Sequence, residues 1–80
     1  MIVIDVLVPP LDRAYDFEVD ENEGEVYLTK KIGSLIEEHD KVRFSPGKRE
    51  LFFLRGECFL DSAKSLKEQG VSNGDRLILV

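Results

Sequence analysis

The last eleven residues constrain the fold more than any other segment of this chain. Residues 70–80 join a turn that contains two glycines to an apolar strand. The pair Asn73-Gly74 favours a turn because both residues tolerate positive φ. Side chains after the turn alternate between the two sides of a sheet, Leu77 and Leu79 inward and Ile78 and Val80 outward. We expect this strand to be paired on both edges, because a terminal strand without partners would fray.

The opening segment predicts a second apolar strand and a hairpin. Residues 2–8 are apolar except for Asp5, which marks the outer side of the strand. Pro9-Pro10 ends the strand because proline cannot donate to a ladder. Apolar and acidic side chains then alternate over residues 15–20, which is the pattern of a half-buried strand. Two such strands separated by a short turn predict a β-hairpin.

The period of the pattern changes in the middle of the chain. Apolar residues there recur at the spacing of one helix face, which we expect to be buried: Leu28, Ile32, Leu35 and Ile36, with His39 at the end. The helix begins between residues 22 and 25, where acidic residues suit the positive end of its dipole.

The second half of the chain contains two short strands and a short helical turn. We expect a loop centred on residues 45–47, with Phe44 as a buried anchor, and then an apolar strand over residues 51–54. Phe59 or Leu60 begins a minor strand or packs as a loop anchor. Residues 65–68 fit a capping box, and Gly70 lies where a glycine ends a helical turn.

This order of elements predicts an α+β protein of the β-grasp type. A mixed sheet of four or five strands would pack on one main helix in a single domain spanning residues 1–80. The first and last strands are the most apolar, as central strands should be. We expect them to lie parallel to each other, joined by a crossover that includes the helix.

Composition predicts a soluble, cytoplasmic protein. The net charge of −5 disfavours nucleic-acid binding, which depends on a positive field. No apolar run approaches the roughly 20 residues that cross a bilayer, so no membrane insertion is expected. The single Cys58 fits a reducing compartment. Basic residues gather between Lys41 and Arg55, either as a solvated loop or as a site for an acidic partner.

Catalysis and cofactor binding are not expected. The chain has one histidine, His39, and one cysteine, Cys58. A nucleophile needs a base held beside it by a third group, and a usual zinc site needs four ligands. His39 is better explained by packing at the helix end, and Cys58 by burial as a small residue. The acids over residues 20–25 lack the order of a calcium loop and are better explained as a solvated start of the helix.

The chain resembles ubiquitin and, more closely, the YukD/EsaB group of bacterial ubiquitin-like proteins. The resemblance is most specific at Gly56-Glu57-Cys58 and at residues 70–77, which form a similar turn and final strand in the group. It implies a component of bacterial type VII (WXG100-type) secretion systems. Such a component is not attached to targets and acts in the cytoplasm by binding other proteins of the machinery or its regulators.

The outer side of the sheet is the candidate protein-binding surface. If Phe52 and Leu54 point inward, the apolar residues that face outward are Phe53, Ile78, Val80 and Leu51. Arg55 and Arg76 would form a charged rim around them. Ubiquitin meets its partners on the same side, and the resemblance implies the same use here. The pattern leaves open self-association, coverage of this face by another segment, and a one-residue error in strand phase that would reverse the assignment.

Two rival functions remain. A sulfur carrier or conjugated modifier needs a flexible tail ending in two glycines, whereas this sequence ends at Val80 inside the predicted strand. The chain is alternatively a β-grasp domain excised from a larger membrane or signalling protein.

Overall fold

A computed structural model gives the structure of residues 1–44 and 49–80. In these residues the chain forms, in order, β1 (Ile2–Val8), β2 (Arg13–Val19), α1 (Glu25–Asp40), β3 (Leu51–Phe53), β4 (Cys58–Phe59) and β5 (Arg76–Leu79). Single 3₁₀ turns lie at Pro9–Leu11 and Lys67–Gln69. The predicted α+β architecture is therefore confirmed. The predicted turn at residues 45–47, and Lys48 of the basic segment, lie outside the described residues.

The five strands form one mixed sheet in the order β2-β1-β5-β3-β4. β1 is antiparallel to β2 and parallel to β5, and β5 is antiparallel to β3. The two most apolar strands therefore occupy the centre, and β5 is paired on both edges as predicted. Pairing continues to Val80, whose backbone N–H and carbonyl both bond to Glu50, at 3.0 and 3.1 Å.

The predicted turn before β5 is fastened to the start of β1. Gly74 has φ 87°, a left-handed conformation that favours glycine. Its N–H donates to the Val3 carbonyl at 2.7 Å, and the Asn73 side-chain oxygen accepts the Val3 N–H at 2.8 Å. This turn therefore sets where β5 begins alongside β1.

The predicted capping box also forms. The Ser65 N–H donates to the Glu68 carboxylate at 3.1 Å, and the Glu68 N–H donates to the Ser65 hydroxyl at 3.2 Å. The bond from the Ser65 backbone lowers the pKa of Glu68. Gly70 then ends the 3₁₀ turn at φ 82°.

The core lies between α1 and the side of the sheet that faces it. From the helix, Leu28, Ile32 and Ile36 are each 1% exposed. Phe44, predicted to be a buried anchor, packs against the core but is only half-buried. The predicted burial of Leu35 is wrong, since its side chain is exposed. A helix turns by about 100° per residue, so the stripe centred on residues 28, 32 and 36 leaves residue 35 at its side.

In the part of the chain that the structure describes, none of the helices has the length and apolar character needed to cross a bilayer.

Candidate functional site

The side of the sheet away from α1, the outer face, carries a continuous row of apolar side chains. Residues paired directly across neighbouring strands share a face of the sheet. Leu7 of β1 pairs with Ile78 of β5, Ile78 with Phe52 of β3, and Phe52 with Phe59 of β4. We call these four residues the apolar row. Ala14 of β2, opposite Leu7, extends it to the far edge of the sheet.

The apolar row is open to solvent along its length. Leu7, Ile78 and Phe52 are half-buried, and Phe59 is 54% exposed. The Phe52 and Phe59 rings meet edge to face, with centroids 5.2 Å apart. With strands about 4.8 Å apart, the row spans about 14 Å from Leu7 to Phe59. Val80, also 54% exposed, lies beside it.

The predicted outward orientation is right for β5 and wrong for β3. Ile78 and Val80 lie on the outer face, whereas Leu51 is 0% and Phe53 4% exposed in the core. Leu51 pairs with Leu79 and Phe53 pairs with Leu77, so both share the inner side with the buried leucines of β5. Phe52 and Leu54 face outward instead. The one-residue phase error exchanges the two sides of this strand.

A signal for the correct phase is present in the sequence just before β3. The backbone of Glu50 pairs with that of Val80. The alternation of outward and inward side chains in β3 therefore begins at Glu50, one residue before the buried Leu51. A charged residue at position 50 marks the outer side, and position 52 shares that side. Extending the predicted strand by one residue would have identified Phe52 as outward.

Gly56 makes room for the inward Phe53. A Cβ atom at position 56 would lie 2.7 Å from the Phe53 ring atom Cδ2, closer than real Cβ contacts. The turn after β3 therefore needs glycine for Phe53 to occupy the core.

Arg55 lies at the end of the sheet and is held there by several contacts. Its guanidinium donates to the Asp75 carboxylate at 2.9 and 2.8 Å and to the Gly70 carbonyl at 2.7 Å, and it stacks 5.1 Å from the centre of the Phe53 ring. The bonds between the two side chains lower the pKa of Asp75 and raise that of Arg55. Arg55 thus links the turn after β3 to the turn before β5.

Arg76 lies on the outer face, as predicted, but its charge is matched by a neighbouring strand. Its Nε donates to the Asp5 carboxylate at 2.6 Å across the parallel pair of β5 and β1. The arginines predicted as a basic rim therefore each have a carboxylate partner within the chain.

Cys58 differs from its predicted role, because it is exposed on the edge strand β4 rather than buried. The His39 ring packs edge to face against the Tyr15 ring in the last turn of α1, with centroids 6.5 Å apart, as predicted. Its side chain is nevertheless 76% exposed and bonds to Asp40 at 2.7 Å. Asp40 also accepts a short hydrogen bond from the Tyr15 hydroxyl, which raises the pKa of Tyr15 and lowers that of Asp40. This cluster joins β2 to the end of α1.

A shallow groove of about 300 Å³ runs along α1, away from the outer face of the sheet. Its lining includes Glu25, which is 4% exposed although a solvated helix start was predicted. The Thr29 hydroxyl donates to the Glu25 carboxylate at 2.6 Å, and Arg49 stacks over Phe44 at 4.5 Å. These polar groups of the groove are engaged by neighbours in the same chain.

No protein-family model and no curated protein matches this sequence. Solved structures, in contrast, do match it. The ubiquitin-like domain of an Arabidopsis thaliana protein has a TM-score of 0.72 and 21% identity, with 99% of this chain and 74% of that chain covered. The N-terminal ubiquitin-like domain of the 4931431F19Rik protein has a TM-score of 0.77 and 19% identity over 99% of this chain and 72% of that chain.

Ubiquitin of Caldiarchaeum subterraneum is similar to the same degree, with a TM-score of 0.73 and 19% identity over 98% of this chain and 89% of that chain. At such low identities the structural similarity shows the fold alone. The chain has a ubiquitin-like β-grasp fold.

Proposed function

We propose that this chain is a protein-interaction module that binds a partner protein on the outer face of its sheet, without catalysis and without a cofactor. One observation carries the proposal, namely the exposed apolar row that crosses β1, β5, β3 and β4. A contiguous apolar surface on a small protein is typical of an interaction site.

Neighbouring apolar side chains enlarge this surface. Val80 lies beside Ile78, and Val3 and Leu54 are 40% and 46% exposed on the same face. Phe59 and Phe52 supply large aromatic contact areas, which are enriched at the centres of interfaces. The surface is therefore broad enough to receive more than one anchor side chain of a partner.

The strands that form the outer face are held in place by the core on their other side, which favours binding. Its central strands carry core side chains on their inner side, and β5 is bonded on both edges. A surface that is ordered before binding loses little conformational entropy when a partner docks.

We further propose that the chain is a cytoplasmic accessory or regulatory component of a bacterial type VII secretion system. The support is the resemblance to the YukD/EsaB group at residues 56–58 and 70–77. In this fold the first segment packs against Phe53 and the second begins β5.

The chain offers a direct test of the docking face. Cys58 is the single cysteine, but it pairs with the buried Phe53, so its side chain lies on the inner side of the sheet. In a Cys58→Ser background, a photo-crosslinker attached through Ala14→Cys, an exposed position of the outer face opposite Leu7, will report on partners at this face. Phe59→Ala should lower crosslinking to a specific partner by at least about tenfold if Phe59 is an interface anchor. Tyr27→Ala is the matched control, because Tyr27 is similarly exposed, at 51%, but lies on α1.

Equal crosslinking by the Phe59 and Tyr27 variants would reject the outer face as the docking site. The secretion role has a separate test. Deleting the gene in its native cell should reduce export of WXG100 proteins, and the crosslinked partner should be a component of that machinery. Unchanged export together with an unrelated partner would reject the secretion role and leave the docking face intact.

A further inference from the structure

We infer that the segment docking on the outer face is an amphipathic helix whose apolar stripe is flanked on both sides by lysine or arginine. The inference rests on the proposed function and goes further, since it states the chemistry of the partner. It follows from the charges that surround the apolar row.

Carboxylates lie on both sides of the apolar row. On one side of the row, Asp16 of β2 lies two residues from Ala14. It pairs with Asp5 of β1, which in turn pairs with Arg76 of β5. Glu50 lies two residues from Phe52, on the other side of the row, opposite Val80. Positions two residues apart along a strand are about 6.8 Å apart, so both carboxylates are close enough to meet the flanks of a docked segment.

The balance of charge on this face is acidic. In residues 1–44 and 49–80, the strand positions of the outer face carry one arginine, Arg76, and several carboxylates, namely Asp5, Asp16, Glu18 and Glu50. Asp5 is matched by Arg76, whereas Asp16, Glu18 and Glu50 are exposed. A partner with basic flanks would complement these charges, and one with acidic flanks would be repelled.

The length of the row fits a helix. Anchor side chains at i, i+3 or i+4, and i+7 or i+8 cover about 10–12 Å along a helix axis. This length matches a row of about 14 Å across four strands. Basic residues on either side of such a stripe would reach Asp16 on one flank and Glu50 on the other.

The same charges argue against other occupants of this face. A second copy docking face to face would bring the carboxylates of two outer faces together. Nucleic acid and anionic lipid would meet the same repulsion, because both bind through positive protein surface.

Two synthetic peptides test the inference. Both are helices of about 18 residues with a stripe of leucine and phenylalanine at i, i+3, i+4 and i+7. One has lysines on each side of the stripe and the other has glutamates at the same positions. Fluorescence anisotropy at low salt gives the affinities, and ¹H–¹⁵N spectra locate the binding. We expect the lysine peptide to bind more tightly by at least about tenfold and to shift amides of β5 and β3.

Charge reversal provides a matched pair of variants. Glu50→Lys should weaken binding of the lysine peptide by about fivefold and strengthen that of the glutamate peptide. Glu38→Lys makes the same change of net charge at an exposed position on α1 and should leave both affinities nearly unchanged. The difference between the two variants should shrink in 1 M NaCl, where screening is strong.

The outcomes separate the two proposals. Tighter binding of the glutamate peptide on the outer face would overturn the inferred charge and support the docking face. Equal effects of Glu50→Lys and Glu38→Lys would also overturn it, as would failure of the lysine peptide to bind or its binding elsewhere. The proposed function is judged independently by crosslinking from position 14 on the outer face to the native partner.

Discussion

The two faces of the sheet are built from alternate residues of the same strands, yet they differ in what their side chains do. On the inner face, Phe53 and Leu77 pair across β3 and β5 and are almost fully buried under α1. One residue away, Phe52 and Ile78 pair across the same strands and remain half-exposed. Chemically similar residues thus face the core on one side and solvent on the other.

The comparison separates stability from recognition. Burial of apolar surface stabilises a fold in proportion to the area removed from water. The inner-face side chains of β1, β3 and β5 lose nearly all of their exposed area on folding, whereas those of the outer face keep much of it. Substitutions on the inner face should therefore act on folding, and substitutions on the outer face mainly on binding.

The neighbouring phenylalanines of β3 give the strongest test of this difference. Phe53→Ala should lower the free energy of unfolding by about 3–5 kcal/mol, because it removes a buried ring and leaves a cavity. Phe52→Ala should lower it by only about 1 kcal/mol, mainly through loss of the ring contact with Phe59. Urea unfolding followed by circular dichroism suits a chain without tryptophan.

A loss of this size in Phe53→Ala would bring the free energy of unfolding of a small domain close to zero. The fraction of folded protein without urea is therefore a second measure of the difference between the two variants. We expect a largely folded Phe52 variant and a largely unfolded Phe53 variant at about 37 °C. Equal losses in the two variants would contradict the assignment of the faces.

Two glycines sharpen the comparison because alanine should act in opposite directions. Gly56→Ala should lower the free energy of unfolding by about 1–3 kcal/mol, since the new Cβ would meet the buried Phe53 ring at 2.7 Å. Gly33→Ala should raise it by about 0.5–1 kcal/mol, because alanine favours a helix interior. The nearest atom to a Cβ there is Cδ of Arg49 at 3.8 Å, an ordinary contact.

Thermal and urea midpoints of the two variants measure this difference. If Gly56→Ala proved neutral, Phe53 would not be held firmly against the turn after β3. If Gly33→Ala were destabilising, the fit of α1 against its neighbours would be tighter than the distances indicate.

The sequence was sufficient for the architecture and for the faces of β1 and β5. Asp5 interrupts the apolar alternation of β1, and Arg76 does the same in β5, so each strand contains a polar marker of its outer side. The turn residues before β5 and the capping box were also readable, because they depend on local backbone chemistry.

The faces of β3 could not be read from the strand itself. Residues 51–54 are all apolar, and a short apolar run has no period that distinguishes inside from outside. Its orientation is set by pairing with β5, which is a tertiary contact, and by Glu50 just outside the predicted bounds. The apolar row was missed for the same reason, because Phe52 and Phe59 meet only once β3 and β4 pair.

The stability of the protein at acid pH tests the Arg55–Asp75 pair in the turn before β5. This turn sets where β5 begins and therefore which of its residues face inward. Arg55 lowers the pKa of Asp75 below its ordinary value of 3.8. A carboxyl whose pKa is lower in the folded state stabilises the fold above its unfolded pKa, and this contribution is lost as pH falls through the folded pKa. Wild type should therefore lose stability below about pH 4. Asp75→Asn should lose less over the same range.

Arg55→Gln provides the companion variant, because it removes the largest cause of the lowered Asp75 pKa while keeping the carboxyl and its hydrogen bond from the Ser72 N–H. Urea midpoints at about pH 7 and about pH 3 should show a smaller acid loss in both variants than in wild type. An unchanged loss in Asp75→Asn would mean that this pair does not couple folding to pH.

The ion pair on the outer face should give the smallest effect of all. Asp5 and Arg76 are 2.6 Å apart at Oδ2 and Nε, but the Arg76 side chain is 48% exposed. Water and salt screen such a pair, and holding the long arginine side chain costs entropy. A double-mutant cycle of Asp5→Asn and Arg76→Gln should give a coupling free energy below about 1 kcal/mol, decreasing further in 1 M NaCl. A coupling as large as the loss from Phe53→Ala would mean that the outer face, too, holds the fold together, and the division of roles between the two faces would fail.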